Sequence, residues 1–160
     1  MKIDVFFENA RWLNEGLQIA PLLYGSLGLE YLTKESLCAD DIDILIPESY
    51  LSASWPMFRG MLEGKGYCLV DEHEHTFEKD GIHVSYARLE ELEPFAGISV
   101  ADIPVMEIDP VRFRLLSLEQ YLKVYTASAK DGYRLTVKEK NDLEKIAFIR
   151  SRMMGRDAGK

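Results

Sequence analysis

Apolar residues near the start of the chain recur at three- and four-residue intervals, a period typical of an amphipathic helix. This pattern predicts a helix over residues 4–17. A short apolar run then predicts a strand at residues 22–24, because Pro21 cannot donate a hydrogen bond to a neighbouring strand. Gly25 ends the strand, and a short helix is expected over residues 26–32.

The densest strand pattern covers residues 41–46, where isoleucines alternate with aspartates, and it ends at Pro47. Alternate residues of a strand share one face of the sheet. The three isoleucines are therefore expected to face a core, and Asp41 and Asp43 are expected together on the opposite face.

The middle of the chain is predicted to hold a helix, a strand and two hairpin strands, over residues 48–62, 67–70, 75–79 and 82–89. Pro56 is expected to kink or break the helix. Asp80-Gly81 favours a two-residue turn between the hairpin strands. Residues 99–114 predict one or two further short strands without fixing their place in the sheet.

The C-terminal part is predicted to be helical and contains two capping boxes, at residues 117–120 and 136–139. An apolar stripe that includes Tyr121 and Tyr125 is expected in the core, and exposure of these tyrosines would support a homodimer. The element order predicts one α+β domain over residues 1–160, a mixed β-sheet with helices packed on it and a helical tail at about 117–155.

Composition narrows the classes of partner. The 160 residues carry a formal net charge of −8, which disfavours a long nucleic acid because phosphate binding needs a basic surface. No apolar run approaches the roughly 18 residues of a membrane span, and the N-terminus lacks a signal-peptide pattern. Cys38 and Cys68 are expected as buried thiols in a reducing cytoplasm. We therefore predict a cytoplasmic protein.

Two carboxylates side by side on a strand repel each other and lose hydration, a cost that a divalent cation between them offsets. Mg²⁺ typically takes one or two carboxylates together with substrate phosphates. Gly25 allows a sharp turn and a close approach of the backbone to a ligand. If Ser26 begins a helix, its N–H and hydroxyl face a phosphate at the positive end of the helix dipole.

A strand ending in Gly25-Ser26, a helix, and then the Asp41-Ile-Asp43 strand resemble the nucleotidyltransferase superfamily, including its small minimal members. The resemblance implies that Gly25 and Ser26 hold a nucleoside triphosphate such as ATP and that Asp41 and Asp43 bind Mg²⁺. Lys140 would then belong to the tail that closes the nucleotide site, together with Asp142.

The sequence departs from the family at the third carboxylate, which active members place on a later strand as metal ligand and general base. Here Ser85 is expected at that position. A two-residue turn at Asp80-Gly81 pairs Glu78 with His83 and Thr76 with Ser85, so that these four side chains share one face. Glu78 is then the candidate catalytic base. A partner subunit could instead complete the site, or the chemistry could be lost.

Two functions follow from these alternatives. The first is transfer of a nucleotidyl group from a nucleoside triphosphate to a hydroxyl of a small molecule or protein, with Mg²⁺ on the aspartates. The second is a catalytically degenerate protein that binds a nucleotide or another protein, as one half of a toxin–antitoxin type pair. A zinc site is not favoured, because His73 and His75 would share one strand face, whereas the predicted hairpin register puts His83 on the opposite face from His75.

Overall fold

The computed structural model describes the backbone at residues 1–130 and 137–158 and the side chains at residues 1–130 and 142–155. The strands are β1 Leu22–Tyr24, β2 Ile42–Ile46, β3 Cys68–Asp71, β4 Thr76–Lys79, β5 Ile82–Arg88, β6 Val105–Ile108 and β7 Val111–Leu115. The α-helices are α1 Lys2–Leu17, α2 Gly25–Thr33, α3 Trp55–Gly64, α4 Leu92–Ala96, α5 Leu118–Lys130 and α6 Val137–Ala158.

Among the described residues, the strands form one mixed sheet in the order β3-β4-β5-β2-β1-β7-β6. β2 lies at its centre, antiparallel to β1 and parallel to β5. The predicted α+β class, with a mixed sheet and helices packed on it, is confirmed.

One face of the sheet packs against α1 and α3. The three isoleucines of β2 point to this face and are fully buried, as their alternation predicted. Phe6 of α1 meets Phe113 of β7 edge to face, with ring centroids 5.5 Å apart. Phe58 of α3 meets Tyr86 of β5 in the same way at 5.0 Å. Such aromatic pairs add about 0.5–1.5 kcal/mol to the burial of their apolar surface.

The opposite face is covered by helices over only part of its width. Leu22 of β1 and Leu45 of β2 pack there against buried side chains of α5 and α6, such as Tyr121 and Ile149. The neighbouring hairpin side chains on this face, including Ser85, are only half-buried. A cleft therefore runs along the border between the covered and the open part of the sheet, where β2 begins.

A buried asparagine joins α1 to the sheet on the α1 side. The Asn9 amide nitrogen donates to the Val5 carbonyl at 2.9 Å and to the Tyr67 hydroxyl at 2.8 Å. Its oxygen accepts from Trp12 Nε1 at 2.9 Å and from the Tyr86 hydroxyl at 3.1 Å. Every polar atom of this side chain is thereby paired, which a buried amide requires.

Most predicted elements are present with ends shifted by a few residues, and the break expected at Pro56 is present just before that residue. Residues 48–62 do not form one helix. They form a 3₁₀ turn at Glu48–Leu51 and then α3 from Trp55, with Pro56 in its first turn. Proline fits there because the first N–H groups of a helix have no intrahelical acceptor. The segment 99–114 holds β6 and most of β7 at the sheet edge beside β1.

The first predicted capping box is confirmed at the start of α5. The Ser117 hydroxyl accepts from the Gln120 N–H at 3.2 Å, and the Gln120 side-chain oxygen accepts from the Ser117 N–H at 2.9 Å. The second box, at residues 136–139, lies outside the residues described in full. No helix in the described part of the chain is long and apolar enough to cross a membrane.

The expectation of buried cysteines was wrong. Cys38 and Cys68 are both exposed free thiols. Cys38 lies in the connection from α2 to β2, and Cys68 begins β3, which is an edge strand of the sheet that the described residues form.

Candidate active site

The chain turns from strand into helix without an intervening loop at Gly25, which follows β1 directly and begins α2. Gly25 has a φ of +67°, a left-handed conformation that glycine adopts at little cost. A Cβ atom built on it would lie 2.5 Å from Asp43 Oδ2. The turn therefore rests directly against the Asp43 carboxylate, and only glycine fits.

The pairing of β1 with β2 produces this contact. Tyr24, the last residue of β1, is the register partner of Asp43. The next residue, Gly25, consequently lies beside the carboxylate as the chain turns. Asp41 stands just before β2, and its side chain is 55% exposed. Both predicted metal ligands thus lie where β2 begins, at the cleft border.

Asp41 and Asp43 line two cavities, one on each side. The α6-side cavity has a volume of about 420 Å³ and is also lined by Ser26, by residues 37–40 of the α2–β2 connection and by Glu144, Lys145 and Phe148 of α6. Ser26 and both aspartates are thereby brought to one cavity, and Lys145 adds a positive charge to its wall.

The hairpin-side cavity, of about 720 Å³, lies on the other side of the aspartates. Besides Asp41 and Asp43, it is lined by Gly25, by apolar side chains such as Leu92 and Phe95, and by polar side chains of the hairpin and of the segments before and after it. These polar residues are Glu74, Thr76, Ser85, Arg88 and Glu91. Arg88 is paired with Glu91 at 3.1 Å and with Glu48 at 3.6 Å, so its charge is already balanced.

The predicted hairpin register is confirmed. Thr76 pairs with Ser85 and Glu78 pairs with His83 across β4 and β5. On the other side of β5, Ser85 is the register partner of Asp43. The Ser85 and Thr76 hydroxyls share a hydrogen bond of 2.7 Å. Within the described residues, no group of three His, Cys, Asp or Glu side chains is placed to hold a metal ion.

Glu78 approaches the aspartates through a histidine. Its carboxylate lies 3.2 Å from His83 Nε2, and His83 Nδ1 lies 4.0 Å from Asp41 Oδ1. All three side chains are about half exposed. They form a row parallel to the one that joins Asp43 to Ser85, two residues away along β5.

The C-terminal tail contributes through residues other than the predicted lysine. The Lys140 side chain lies outside the residues described in full. Asp142 is buried and accepts a hydrogen bond from the Ser128 hydroxyl at 2.7 Å, which fastens α6 to α5. Lys145 was missed by the sequence reasoning. Its spacing of three residues from Asp142, next to the buried Ile146, could have placed it on the inward face of the helix.

Two tyrosines of α5 that the sequence assigned only to the core also contact the site. The Tyr121 hydroxyl donates to the Gly25 carbonyl at 3.1 Å, and the Tyr125 hydroxyl hydrogen-bonds with the Ser26 side chain. Burial raises the pKa of both phenols well above the usual value, so they stay protonated at any pH at which the protein works.

Comparison with known sequences gives one curated relative. No family model matches the chain. It is 39% identical over 144 residues to the uncharacterized protein YnaI of Bacillus subtilis (strain 168), a match that spans 90% of this chain and 92% of YnaI.

Two solved structures are similar at low sequence identity. An antigenic nucleotidyltransferase-like protein from Paracoccidioides brasiliensis has a TM-score of 0.63 at 15% identity, over 91% of this chain and 73% of its own. ANT(2″)-Ia in complex with adenylyl-2″-tobramycin has a TM-score of 0.51 at 13% identity, over 98% of this chain and 99% of its own. These likenesses show a nucleotidyltransferase-like fold.

Proposed function

The chain belongs to the same protein family as YnaI of Bacillus subtilis and has a nucleotidyltransferase-like fold, and on this premise we propose that it transfers a nucleotidyl group from a nucleoside triphosphate to a hydroxyl acceptor. Asp41 and Asp43 would hold Mg²⁺, and Gly25 and Ser26 would position the triphosphate. ATP is the first nucleotide to test, because the complex of the structural neighbour ANT(2″)-Ia contains an adenylylated compound.

One observation carries the proposal: the Gly25 turn rests on the Asp43 carboxylate, with Ser26 and Asp41 lining the same cavity. The start of α2 presents N–H groups there, and such a helix end attracts phosphate. Adjacent carboxylate oxygens are the ligands that Mg²⁺ prefers. The N–H groups that would bind a phosphate and the carboxylates that would bind Mg²⁺ are therefore close enough to contact the same Mg²⁺-bound triphosphate.

The two cavities suggest separate binding sites for the triphosphate and the acceptor. The triphosphate would occupy the α6-side cavity, where Ser26 and Lys145 would contact its oxygens. Lys145, which lines this cavity, would take the role that the resemblance gave to Lys140. The acceptor would enter the hairpin-side cavity, whose volume of about 720 Å³ lies within the range of small-molecule sites. The tobramycin adduct bound by ANT(2″)-Ia supports a small-molecule acceptor.

In the proposed reaction, the acceptor oxygen forms a bond to the α-phosphorus and the bond from that phosphorus to the β-phosphate oxygen breaks, which releases pyrophosphate. Bound Mg²⁺ would offset the negative charge of the phosphates. The acceptor proton would pass to Glu78, whose carboxylate His83 holds at 3.2 Å on the aspartate side of the hairpin.

A second function is favoured by one specific observation. Ser85 is the register partner of Asp43, and its hydroxyl is hydrogen-bonded to the Thr76 hydroxyl. The position expected for the third carboxylate is therefore occupied by two hydroxyl groups. A hydroxyl is neither a strong metal ligand nor a base at neutral pH. Nucleotide binding without turnover, in a protein that acts on a partner, would suit such a site.

Calorimetry with Mg-ATP, Mg-GTP, Mg-CTP and Mg-UTP, coupled to an assay for released pyrophosphate with hydroxyl-bearing acceptors, separates these functions. Binding with acceptor-dependent pyrophosphate release supports the transferase, and binding alone supports the second function. If the wild-type protein binds none of the four, both are wrong.

The metal ligands are tested by Asp43→Asn, which is expected to weaken Mg²⁺-dependent nucleotide binding by at least about tenfold, since it removes a charged ligand. Asp80→Asn is the matched control. It removes the same charge and keeps a good residue at the hairpin turn, where Asp80 has a φ of +53°. Equal affinities of the two variants would show that Asp43 is not a metal ligand.

A further inference from the structure

Tyr121 and Tyr125 of α5 lie against the Gly25-Ser26 turn and line a small cavity together with Gly25. Tyr121 is fully buried and donates to the Gly25 carbonyl oxygen at 3.1 Å. Tyr125 lies one helical turn later and hydrogen-bonds with the Ser26 side chain. The two rings stack with an interplanar angle of 15° and centroids 6.0 Å apart, which gives the pair a defined position.

The bond to the Gly25 carbonyl has a consequence for the next residue. The carbonyl of Gly25 and the N–H of Ser26 belong to one planar peptide unit and point in opposite directions. A donor that fixes the carbonyl therefore also fixes the direction of the Ser26 N–H. Gly25 leaves this peptide more rotational freedom than other residues would, so an external anchor matters most at this position.

The space for this anchor is provided by Gly28, one turn into α2. A Cβ atom at Gly28 would lie 2.1 Å from the Tyr121 hydroxyl oxygen and 2.7 Å from the Leu23 carbonyl oxygen. Any side chain larger than hydrogen would push α5 away from the turn. The close approach of Tyr121 is thus built into the sequence of α2 as well as that of α5.

We propose that Tyr121 is a positioning residue that holds the Ser26 N–H toward a phosphate of the bound nucleotide, and that Tyr125 does the same for the Ser26 hydroxyl. The inference rests on the proposed function, because it takes the ligand at this turn to be a triphosphate. Neither tyrosine touches the reacting atoms. Their effect passes through the geometry of the Gly25-Ser26 peptide.

The test uses Tyr121→Phe and measures affinity for Mg-ATP and for inorganic tripolyphosphate with Mg²⁺ by calorimetry. Loss of one neutral hydrogen bond that orients a donor is expected to weaken both ligands by about three- to tenfold. The tripolyphosphate arm isolates the phosphate contacts, since this ligand has no base or sugar. Turnover per bound nucleotide is expected to change less than affinity.

Tyr86→Phe is the matched control. Tyr86 is as fully buried as Tyr121, and its hydroxyl donates to Asn9 at 3.1 Å on the other face of the sheet. Both variants are expected to unfold at a lower temperature than the wild type, but only Tyr121→Phe should lose phosphate affinity. Equal phosphate affinity in the two variants would overturn the inference, since Tyr121 would then be no more than a stabilising core residue.

A double-mutant cycle gives a second measurement, the coupling between Tyr125 and Ser26 in tripolyphosphate affinity, which a purely structural role of Tyr125 would leave at zero. Tyr125→Phe should weaken tripolyphosphate binding when Ser26 is present and have no added effect in the Ser26→Ala background. Fully additive effects would overturn the role of Tyr125. If the wild type binds neither Mg-ATP nor tripolyphosphate, the proposed function itself fails. If Ser26→Ala weakens binding but both tyrosine variants do not, the proposed function stands and only this inference fails.

Discussion

The sharpest structural prediction concerns Gly25→Ala. The new Cβ would lie 2.5 Å from Asp43 Oδ2, closer than real Cβ contacts, in a residue with a φ of +67°. The left-handed conformation alone costs a residue with a side chain about 1–2 kcal/mol. For a domain of this size, 1 kcal/mol corresponds to roughly 2–4 °C in Tm, so strain alone lowers Tm by about 2–8 °C. Displacement of Asp43 adds to this loss.

A matched variant separates strain from the clash. Gly97→Ala places alanine at a φ of +70°, with nothing within 4 Å of the new Cβ. It should show the strain cost without an effect on Asp43. Thermal unfolding and Mg-ATP calorimetry on both variants are the assays. Gly25→Ala is expected to be the less stable of the two and to lose Mg²⁺-dependent affinity.

The side chain responsible for the extra loss can be identified by removing it. Adding Asp43→Ala to Gly25→Ala takes away the atoms that clash, so the double variant should be more stable than the sum of the single effects. Equal Tm losses for Gly25→Ala and Gly97→Ala, with strictly additive behaviour in the double variant, would refute the claim that the turn rests on Asp43.

Three further predictions test other parts of the structure. Ser85→Asp places a carboxylate at the register partner of Asp43 and should strengthen Mg²⁺ binding severalfold, as measured by metal titration. Asn9→Ala leaves the Tyr67 and Tyr86 hydroxyls without their buried partner and should lower the free energy of unfolding by at least about 2 kcal/mol in urea. Burial lowers the pKa of His75 below the ordinary 6.5. Protonation therefore favours the unfolded state, and stability should be full above pH 6.5 and fall as pH drops through the folded pKa. His75→Asn, which tolerates the φ of +50°, should reduce this fall in thermal scans between pH 7.5 and 5.

Local patterns were sufficient wherever one element determines its own geometry. The alternation in β2 correctly predicted that its three isoleucines are buried, because alternate residues of a strand point to the same face of the sheet. Asp80-Gly81 fixed the hairpin register in the same way, since the turn alone sets which residues pair. Pro56 correctly indicated a break in the helical pattern over residues 48–62, and α3 begins just before it because a proline fits the first turn of a helix.

What the sequence could not provide are contacts between distant elements. The hydrogen bond from Tyr121 to Gly25 joins residues 96 positions apart. An apolar stripe that contains tyrosines predicts a core position, but it does not indicate which group the tyrosine hydroxyls contact. The same holds for Lys145, whose place on the cavity wall depends on how α6 packs against α5. Asp41 and Asp43 were easier to single out as candidate metal ligands, because two aspartates at the start of an isoleucine-rich strand contradict its local preference.

The order of strands also constrains where an acceptor must sit. Asp43 has the Gly25 turn on its β1 side and Ser85 on its β5 side, so one carboxylate faces both the turn proposed to bind phosphate and the hairpin. Ser85 cannot accept a proton at neutral pH, and the proposed base Glu78 lies in the row of His83 and Asp41. That row is displaced by two residues, or about 6.6 Å along the strand. An acceptor hydroxyl deprotonated there would stand beside Asp41 rather than beside Ser85. Because the hairpin-side cavity extends from Asp41 past Ser85 to Ala87, the rest of an acceptor bound there would lie along β5 on the Ser85 side of Asp41.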